Sequence, residues 1–566
     1  MQFRIALIAG LALVVLSSTW GTAPGPALSL AVHNQAAGAA ASPAAATPAA
    51  GRSSTVLTEG RTVKVSSALP VPNGSWPTYH RDDGRTGSDP TLPAVSTVTT
   101  GWTSAALDGQ IYASPLVYGG VVYTATLNNT VYALNQATGS QIWSTHLRTP
   151  KVSGWGCGNV TPQGILGTPV IDPAGGRVYV ATLDSSGVYR VEGLNLTNGV
   201  EELNTIISTS GFDWRIQQQR GALAVFNGYV YVPFGGRAGD CGNYSGWVFG
   251  VPTSGSATVN FYRTPGIGNG IWAPGGVVVD DSTGNVFAAT GNGDVNNGCS
   301  ALVGGAPQFE NDAVVRLSPT LAEQDFFMPP DWEFEWCKND QDLGSAAPLL
   351  ISPNLLFQSG KWGTGFLLDP TNLGHVGGQR FPTPKPATYS EANVCFGNTF
   401  NATFGSFAYS APFIYAECEG HGLAALHIDT SVPTLPTFNP CDTCAAPDWH
   451  AGGTNTFGPP IVAAGAVWVA NDSGLFAYRA STGALIYHSA GFGVNRFVTP
   501  AEAGGQVFVP SLTVIRSFVM HVGASQSIPA PSPPARTTPV GQSSAQPPGS
   551  RSPASQSSPA PPPFER

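Results

Sequence analysis

Short apolar runs recur along most of the chain, and each contains an aliphatic residue followed by an aromatic one. Successive aromatic residues of this kind lie 40 to 70 residues apart. The eight pairs are Val122-Tyr123, Val178-Tyr179, Val230-Tyr231, Val286-Phe287, Leu356-Phe357, Ile414-Tyr415, Val467-Trp468 and Val507-Phe508. Such runs predict β-strands. A strand pattern that repeats about every 50 residues is typical of a β-propeller with one four-stranded blade per repeat, so eight repeats predict eight blades.

Two repeats show the register of the predicted blade most clearly. They read YALNQATGSQIW, from Tyr132 to Trp143, and FAYRASTGALIY, from Phe476 to Tyr487. In both, a Thr-Gly pair falls between two apolar segments, which predicts a turn because glycine adopts positive φ without strain. An aromatic residue stands four positions after each glycine, and we expect it to pack between neighbouring blades.

The last repeat, which begins after Asn495, has room for only three strands. A propeller must close, because an open blade would expose an unpaired strand edge. We expect the segment from Val98 to Leu107 to supply the missing outer strand. The alternative, a set of separate β-sandwiches, would need linkers between groups of strands, and none is visible between Trp76 and His521.

The composition agrees with a propeller and excludes other classes of protein. Of 566 residues only 10% are charged, while 69 are glycine and 49 are proline. Helix bundles and coiled coils need more charged residues and fewer helix breakers. The net charge is −9 and no basic cluster occurs, so we do not expect nucleic-acid binding. An all-β protein with a weakly charged surface is expected.

The two ends of the chain differ from the repeats in composition. Residues 1–31 contain Arg4, an apolar run from Ile5 to Leu16 and then small residues, which predicts a signal peptide and a secreted or extracytoplasmic location in the cell envelope. That run is too short for a membrane anchor, and no other stretch reaches membrane length. Residues 32–74 and 523–566 are rich in Ala, Pro and Ser, which predicts flexible segments on either side of a propeller of residues 75–522. We expect a monomer.

Eight cysteines in a chain expected to be exported favour disulfides. Pairing each cysteine with its neighbour in sequence predicts the bonds Cys157–Cys241, Cys299–Cys337, Cys395–Cys418 and Cys441–Cys444. The last pair is spaced like a redox or zinc motif. However, no thioredoxin-like strand and helix pattern surrounds it and no second Cys-x-x-Cys is present, so we interpret it as a loop crosslink.

The segment YALNQATGSQIW resembles the repeat of the pyrroloquinoline quinone (PQQ) enzymes and of their non-catalytic relatives, including the propeller lipoprotein of outer-membrane assembly. The middle of the chain is more similar to the quinoprotein dehydrogenases. The segments QQRGALAVFNGYVYVPFGG, GIWAPGGVVVDDSTGNVFAATGNGD, DLGSAAPLL and FQSGKWGTGFLLD occur in the order that those enzymes use. This resemblance implies an eight-bladed propeller of the quinoprotein alcohol dehydrogenase type.

The resemblance also implies roles for particular residues. Trp272 matches the tryptophan that stacks on the quinone, and Lys361 the basic residue that hydrogen-bonds it. Asn292 matches a calcium ligand, and Asp340, in Asn-Asp-Gln-Asp, matches the catalytic base. These residue types suit the chemistry, because a planar quinone needs an aromatic surface, calcium needs oxygen ligands and the substrate proton needs a carboxylate. Each also has a structural alternative: inter-blade packing, a surface ion pair, a turn or a solvated loop charge.

The chain departs from the family pattern at several positions. The adjacent cysteine pair of the family falls at Gly156-Cys157, so one cysteine is missing. The family's glutamate ligand has no clean match, with Asp184 the nearest candidate and Glu192 a poorer one. Asn339 stands in place of the aromatic residue before the catalytic aspartate. No Cys-x-x-Cys-His occurs, so we expect no haem.

The fourth interval, of 70 residues, is the longest and suggests an inserted loop between Val295 and Asp342. Its aromatic and acidic residues are Phe326, Phe327, Trp332, Trp336, Glu323, Asp325, Asp331, Glu333 and Glu335. Together they suit a sugar, polyol or cationic ligand, or else a hydrophobic lid on the edge of the blade.

Two functions are compatible with these features. The first is an exported, non-catalytic propeller that binds a small molecule or protein at the face shared by Asn292, Asp340 and the loop of the fourth repeat. The second is a PQQ- and calcium-dependent dehydrogenase that oxidises an alcohol or sugar and passes electrons to an external acceptor. The decisive geometry is whether Trp272, Asn292, Asp340 and Lys361 converge on one central cavity.

Overall fold

The protein is an eight-bladed β-propeller, as the repeats predict. The computed structural model describes residue 71 and residues 74–255, 259–293, 299, 302–303, 306–307, 310–383, 392–397, 402–441 and 443–522. The predicted signal peptide, most of the N-terminal linker and the C-terminal segment lie outside them. Within the described residues are eight sheets of three to five strands and one two-stranded hairpin. No described helix has the length and apolar character that a membrane crossing requires.

The strands of blades 1 to 4 follow one another along the chain. Blade 1 contains Leu116–Tyr118, Val121–Ala125, Thr130–Asn135 and Gln141–His146; blade 2 contains Val170–Asp172, Arg177–Leu183, Tyr189–Asn195 and Glu201–Ile207. Blade 3 contains Ala224–Phe226, Tyr229–Gly236, Trp247–Pro252 and Asn260–Arg263, with Gln217–Gln218 paired to its second strand; blade 4 contains Val278–Val279, Val286–Ala289, Val314–Leu317 and Glu323–Met328, with His375–Val376 at its edge. The hairpin is formed by Leu302–Val303 and Ala306–Pro307.

Blades 5 to 8 complete the ring. Blade 5 contains Leu349–Ser352, Leu355–Gln358 and Phe366–Leu368; blade 6 contains Ala408–Ser410, Phe413–Cys418 and Gly422–Asp429, with Thr437–Phe438 and Trp449–Ala451 both paired to the third strand. Blade 7 contains Ile461–Ala463, Ala466–Asn471, Gly474–Arg479 and Leu485–His488; blade 8 contains Ala501–Ala503, Gln506–Ser511, Val514–Val522 and Val95–Thr103. All eight predicted aliphatic-aromatic pairs lie in the second strand of a blade, and their aromatic side chains are buried.

Blade 8 closes the ring in the predicted way. Its outer strand, Val95–Thr103, precedes blade 1 in sequence and pairs antiparallel with Val514–Val522. In the register of this pair, Val98 lies opposite Met520. The first and last parts of the propeller therefore share one sheet, and the observed strand begins three residues before the predicted one.

The predicted Thr-Gly turns bring glycines against tryptophans of the neighbouring blade. Gly483 of blade 7 has φ +69°, and a Cβ there would lie 2.5 Å from the Trp449 ring of blade 6. The Trp449 indole N–H donates to the carbonyl of Ala480 at 3.0 Å, in the same turn. Gly139 of blade 1 makes the same close approach to Trp102 of blade 8. These contacts join consecutive blades where their outer strands meet.

Residues 76–89, which we call the axial segment, run past the first strands of the blades. The segment hydrogen-bonds to the first strand of each blade or to a residue just before it. Its partners in blades 1 to 8 are Val117, Ile171, Leu223, Val279, Leu350, Tyr409, Val462 and Thr499, in that order. Ser88–Asp89 adds a parallel strand to blade 7. The axial segment therefore ties all eight blades together at the centre of the ring.

The four predicted disulfides are the four in the structure, Cys157–Cys241, Cys299–Cys337, Cys395–Cys418 and Cys441–Cys444. The last is a local crosslink of three residues' separation. No described cysteine is free.

The long fourth interval differs from the inserted loop that its length suggested. Strands Val314–Leu317 and Glu323–Met328 lie within it and complete blade 4. Short helical turns follow at Trp332–Trp336 and Cys337–Asn339. Trp336 is fully buried, and its ring lies 5.8 Å from that of Phe366. This packing of Trp336 matches the alternative of a hydrophobic lid on the edge of the blade. The side chain of Glu335 lies outside the described part of the structure.

Candidate functional site

A cavity of about 330 Å³ lies at the centre of the ring, among loops that lead into first strands and out of second strands. Blades 1 to 5 and blade 8 contribute to it. Its walls are formed by Tyr112, Asn159, Val160, Leu166, Gln218, Arg220, Gly236, Arg237, Ala238, Gly239, Asp240, Tyr244, Trp272, Asn292, Asp342, Lys361, Arg496 and Phe497.

Three of the predicted site residues converge on this cavity. Trp272 precedes blade 4, Asn292 follows the second strand of blade 4, and Lys361 follows the second strand of blade 5. The Lys361 ammonium lies 5.8 Å from the centre of the Trp272 ring. Gly235 lets Trp272 approach closely, because a Cβ at that glycine would lie 2.6 Å from the tryptophan Cβ.

Asp340 lies beside the cavity and is not part of its wall. Its side chain is 68% exposed, and its Oδ1 lies 3.1 Å from the Lys361 ammonium. Its backbone has φ +56° at the end of the helical turn Cys337–Asn339. The predicted base therefore contacts the site through Lys361.

Asp342, which the sequence reasoning did not select, occupies the cavity wall instead. Its side chain is 8% exposed, and Oδ2 lies 2.5 Å from the Lys361 ammonium. Its Oδ1 accepts a hydrogen bond from the backbone N–H of Asn292 at 2.7 Å. Burial lowers the pKa of Lys361, but the two aspartates outweigh burial and the pKa is raised. The run Asn-Asp-Gln-Asp offers two aspartates, and the buried one, Asp342, contacts Lys361 and lies close to Gly291, which belong to other segments.

Asp184 and Glu192, the remaining calcium candidates, lie in blade 2 and do not line the cavity. Asp184 accepts hydrogen bonds from the backbone N–H groups of Ser186 and Val188, and it pairs with Arg190 at 3.3 Å. Glu192 is fully buried beside Arg148, and burial raises its pKa to about 7. The structure thus separates these two residues from Trp272 and Lys361.

The cavity wall carries more positive than negative groups. Its basic residues are Arg220, Arg237, Lys361 and Arg496, and its acidic residues are Asp240 and Asp342. Burial raises the pKa of Asp240, and the Tyr244 hydroxyl donates to its Oδ1 at 2.8 Å. Arg237 donates to the backbone carbonyls of Trp214 and Arg215, not to a carboxylate.

Arg220 is the most unusual of these cations. It is 9% exposed, and within the described part of the chain no carboxylate forms an ion pair with it. Its guanidinium lies 5.9 Å from the Tyr112 ring centre and 5.7 Å from that of Phe497. Burial lowers its pKa to about 10, so it is still charged at neutral pH. Sequence reasoning missed it because its burial depends on blades that are distant in the chain.

The wall suits the anionic quinone better than it suits calcium. PQQ is planar and anionic, and the cavity offers a tryptophan ring and four cations. Calcium takes about six to eight oxygen ligands. Here the Lys361 ammonium already lies against Asp342, and among described residues no three His, Cys, Asp or Glu side chains are grouped as metal ligands. The side chains as arranged do not fit a calcium ion.

The comparison with protein families supports the resemblance seen in the repeats. The family described as outer membrane protein assembly factor BamB matches residues 89–290. A BamB protein of Moranella endobia (strain PCIT) is 27% identical over 124 residues, which are 22% of this chain and 29% of that protein. The match therefore spans less than a third of the relative's length.

Solved structures of quinoproteins share the fold. The quinohemoprotein alcohol dehydrogenase of Comamonas testosteroni superimposes with a TM-score of 0.56 and 16% identity, over 80% of this chain and 81% of that one. The quinohemoprotein alcohol dehydrogenase ADHIIG of Pseudomonas putida HK5 gives a TM-score of 0.57 and 14% identity, over 81% and 82%. The chain is thus an eight-bladed propeller similar in fold to the quinoprotein alcohol dehydrogenases, with a repeat similar to that of BamB over residues 89–290. At these identities the structural likeness shows the fold alone.

Proposed function

We propose that this protein is an exported propeller that binds a small organic anion in its central cavity. The observation that carries this proposal is the buried Arg220 guanidinium, which faces the cavity without an acidic partner among the described residues. A buried charge is costly unless an opposite charge or strong hydrogen bonds accompany it. A carboxylate of a bound ligand would supply that partner.

The charge of the cavity wall supports an anion for a second reason. The whole chain has 25 Lys and Arg residues against 34 Asp and Glu residues, yet four cations and two acids line the cavity. Arg496 lies against the rings of Phe404 and Phe497, at 5.2 and 4.9 Å, and its exposed end pairs with Glu419 at 2.8 Å. A cation held against aromatic rings keeps its position, and Arg220, which has no acidic partner among the described residues, can meet a ligand carboxylate.

The test is a binding titration on the purified chain, followed by tryptophan fluorescence and calorimetry. PQQ and benzene-1,3,5-tricarboxylate serve as anionic probes, and an uncharged aromatic triamide as the neutral control. We expect Arg220→Gln to weaken binding of the anions by about 2 kcal/mol, or roughly 30-fold. Arg177→Gln, an arginine paired with Glu202 outside the cavity, should leave binding unchanged. Equal binding by Arg220→Gln would contradict the proposal.

A second candidate function is a PQQ-dependent dehydrogenase of alcohols or sugars with an external electron acceptor. It is favoured by the convergence of Trp272, Asn292 and Lys361 in a fold shared with quinoprotein dehydrogenases. When bound, the quinone supplies a two-electron acceptor. Of the two nearby carboxylates, Asp342 lies in the wall and Asp340 is the more accessible to solvent.

Dye reduction separates the two functions. The chain is incubated with PQQ and calcium and then supplied with alcohols or sugars and an artificial acceptor dye. Turnover that Asp340→Asn abolishes would support the dehydrogenase with Asp340 as the base. PQQ binding without turnover would leave the ligand-binding propeller as the function.

Export is the remaining part of the proposal. It rests on the predicted signal peptide of residues 1–31 and on four disulfides, which persist mainly outside the cytoplasm. N-terminal sequencing of the protein from the culture medium or cell envelope tests it. A mature chain beginning near residue 32 supports export, and an intact Met1 in cytoplasmic protein contradicts it.

A further inference from the structure

The disulfide Cys157–Cys241 lies at the wall of the central cavity. Asn159, two residues after Cys157, lines the cavity, and so does Asp240, which directly precedes Cys241. The bond joins the loop that leads into blade 2 to the loop that leaves the second strand of blade 3. Two segments of the cavity wall that are 84 residues apart in sequence are thus linked covalently.

This disulfide differs from the other three in exposure. Cys157 and Cys241 are both partly exposed to solvent, whereas the six remaining cysteines are buried. A reductant must reach a sulfur atom to attack it, so accessibility decides which disulfide reacts first. The bond beside the cavity is therefore the one that an external thiol can reach most easily.

The two linked loops have little regular structure of their own. Gly154, Gly158, Gly239 and Gly242 all have positive φ, and all four are exposed. Besides the disulfide, the Arg237 guanidinium lies 4.8 Å from the Trp155 ring and connects the same two loops. Glycine-rich backbone has a large conformational freedom once a crosslink is removed.

We propose that the disulfide Cys157–Cys241 is a redox-sensitive crosslink, which we call the latch, and that its reduction increases the rate at which the ligand dissociates from the cavity. The inference rests on the proposed binding function. An external dithiol attacks one sulfur, the protein S–S bond breaks, and a second exchange leaves two protein thiols and an oxidised dithiol. Two electrons and two protons pass from the dithiol to the protein. Without the crosslink, the two loops lose more conformational entropy each time the ligand binds. This loss lowers the affinity for the ligand and speeds its dissociation.

The ligand test uses the full chain loaded with benzene-1,3,5-tricarboxylate, which dithiothreitol does not reduce, and compares oxidised with dithiothreitol-treated protein. Differential alkylation and mass spectrometry identify which cysteines have been reduced. We expect Cys157 and Cys241 to be reduced first and the tricarboxylate to dissociate about tenfold faster, with recovery after reoxidation. The Cys157→Ser/Cys241→Ser variant should release the tricarboxylate rapidly with or without dithiol. The control variant Cys441→Ser/Cys444→Ser, which lacks the disulfide of blade 6, should respond to dithiol as the wild type does.

Amide hydrogen exchange provides a readout without ligand. Reduction should accelerate exchange in residues 154–159 and 239–243 and leave the blade strands unchanged. Unchanged exchange after complete reduction of this bond, or prior reduction of another disulfide, overturns the latch. If oxidised protein binds none of the anionic probes, the proposed function fails, while the exchange experiment still decides whether the loops are latched. If the tricarboxylate binds and its dissociation rate is unchanged by reduction of this disulfide, the latch alone fails.

Discussion

The Lys361 ammonium lies 2.5 Å from Asp342 Oδ2 at the cavity wall. The Asp342 carboxylate also accepts a hydrogen bond from the backbone N–H of Asn292. Asn292 follows the second strand of blade 4 and Lys361 follows the second strand of blade 5, so this one carboxylate joins the two blades. A Cβ at Gly291 would lie 2.2 Å from Asp342 Oδ1. The chain therefore keeps a glycine beside the carboxylate, and the position of Asp342 is determined by its surroundings.

Replacing Lys361 should destabilise the protein by leaving Asp342 buried without a cation. We expect Lys361→Met to lower the free energy of unfolding by about 2 kcal/mol, and Asp342→Asn in the same chain to recover part of that loss. Urea unfolding of the single and double variants measures the coupling. Lys338→Met is the control, because it removes the more exposed ion pair with Glu333. It should lower the free energy of unfolding by less than about 0.5 kcal/mol. Equal losses in the two lysine variants would contradict this account.

Glu502 should make stability fall as the pH rises. It is fully buried, and burial raises its pKa from the ordinary 4.5 to about 8, with a further contribution from Asp89. Between those values the folded protein holds a proton that the unfolded chain has lost. The free energy of unfolding therefore decreases through this window, by up to about 1.4 kcal/mol per pH unit from this one group.

Glu502→Gln tests this pH dependence. The amide oxygen can still accept the Gly505 N–H, so the variant should match the wild type near pH 4.5 and exceed its stability at pH 9. Urea unfolding at both values measures the difference. Glu202→Gln is the control, because Arg177 lowers the pKa of Glu202, whereas burial raises that of Glu502. The Glu202 variant should therefore gain no stability relative to the wild type at high pH. A constant difference between Glu502→Gln and wild type across the range would refute the prediction.

A side chain at Gly483 should destabilise the protein for two reasons. The positive φ strains any residue with a Cβ, and the Trp449 ring occupies the space that the Cβ would need. A Cβ at Gly483 would meet the Trp449 ring, whereas Gly176, with a similar φ of +66°, has open space around it. We expect Gly483→Ala to lower the free energy of unfolding by about 2 to 3 kcal/mol more than Gly176→Ala does. Gly176→Ala is the control, because it changes the stability through the backbone angle without a contact to a side chain. Thermal or urea unfolding compares the two. Similar losses would mean that the contact with tryptophan adds nothing.

Arg85 should be essential for the axial segment. Its buried guanidinium donates to Thr78 Oγ1 and to the carbonyls of Tyr79, Leu223 and Val277. We expect Arg85→Met to cost about 3 kcal/mol or more, because these acceptors lose their donor. Arg215→Met, which removes an arginine that is 61% exposed, should cost less than about 0.5 kcal/mol. Soluble expression and urea unfolding report both effects, and a mild loss in Arg85→Met would be contrary to the prediction.

The fold could be predicted from the sequence because each blade repeats the same local pattern. The buried aromatic residues, such as Tyr231 and Trp468, mark every second strand. The closing strand near Val98 followed from the missing strand in the last repeat. The disulfides also followed from the order of the cysteines along the chain.

The site was only partly predictable. Trp272, Asn292 and Lys361 were found through family motifs, but no local pattern distinguishes Asp340 from Asp342. Their burial depends on Gly291 and Lys361, which approach from other segments. Arg220 escaped notice because only the assembled ring places it between aromatic rings.

The axial segment was missed for a related reason. It has no hydrophobic period, and its hydrogen bonds use backbone groups of strands spread along the whole chain. The bonds from Trp76 to Val117 and from Gly87 to Val462 show this spread. No motif within the segment indicates these partners.

The axial segment also determines the order in which the protein can finish folding. Tyr79 and Thr499, which bond to each other, are 420 residues apart. At roughly 5 to 20 residues per second, about 20 to 80 s of synthesis separate the two. The axial segment is made before the strands of blade 1, yet it is among the last parts of the propeller to be enclosed. It therefore needs protection from incorrect strand pairing until Val522 has been made. Folding is therefore expected to be slow and limited by closure of the ring, whatever the stability of the finished blades.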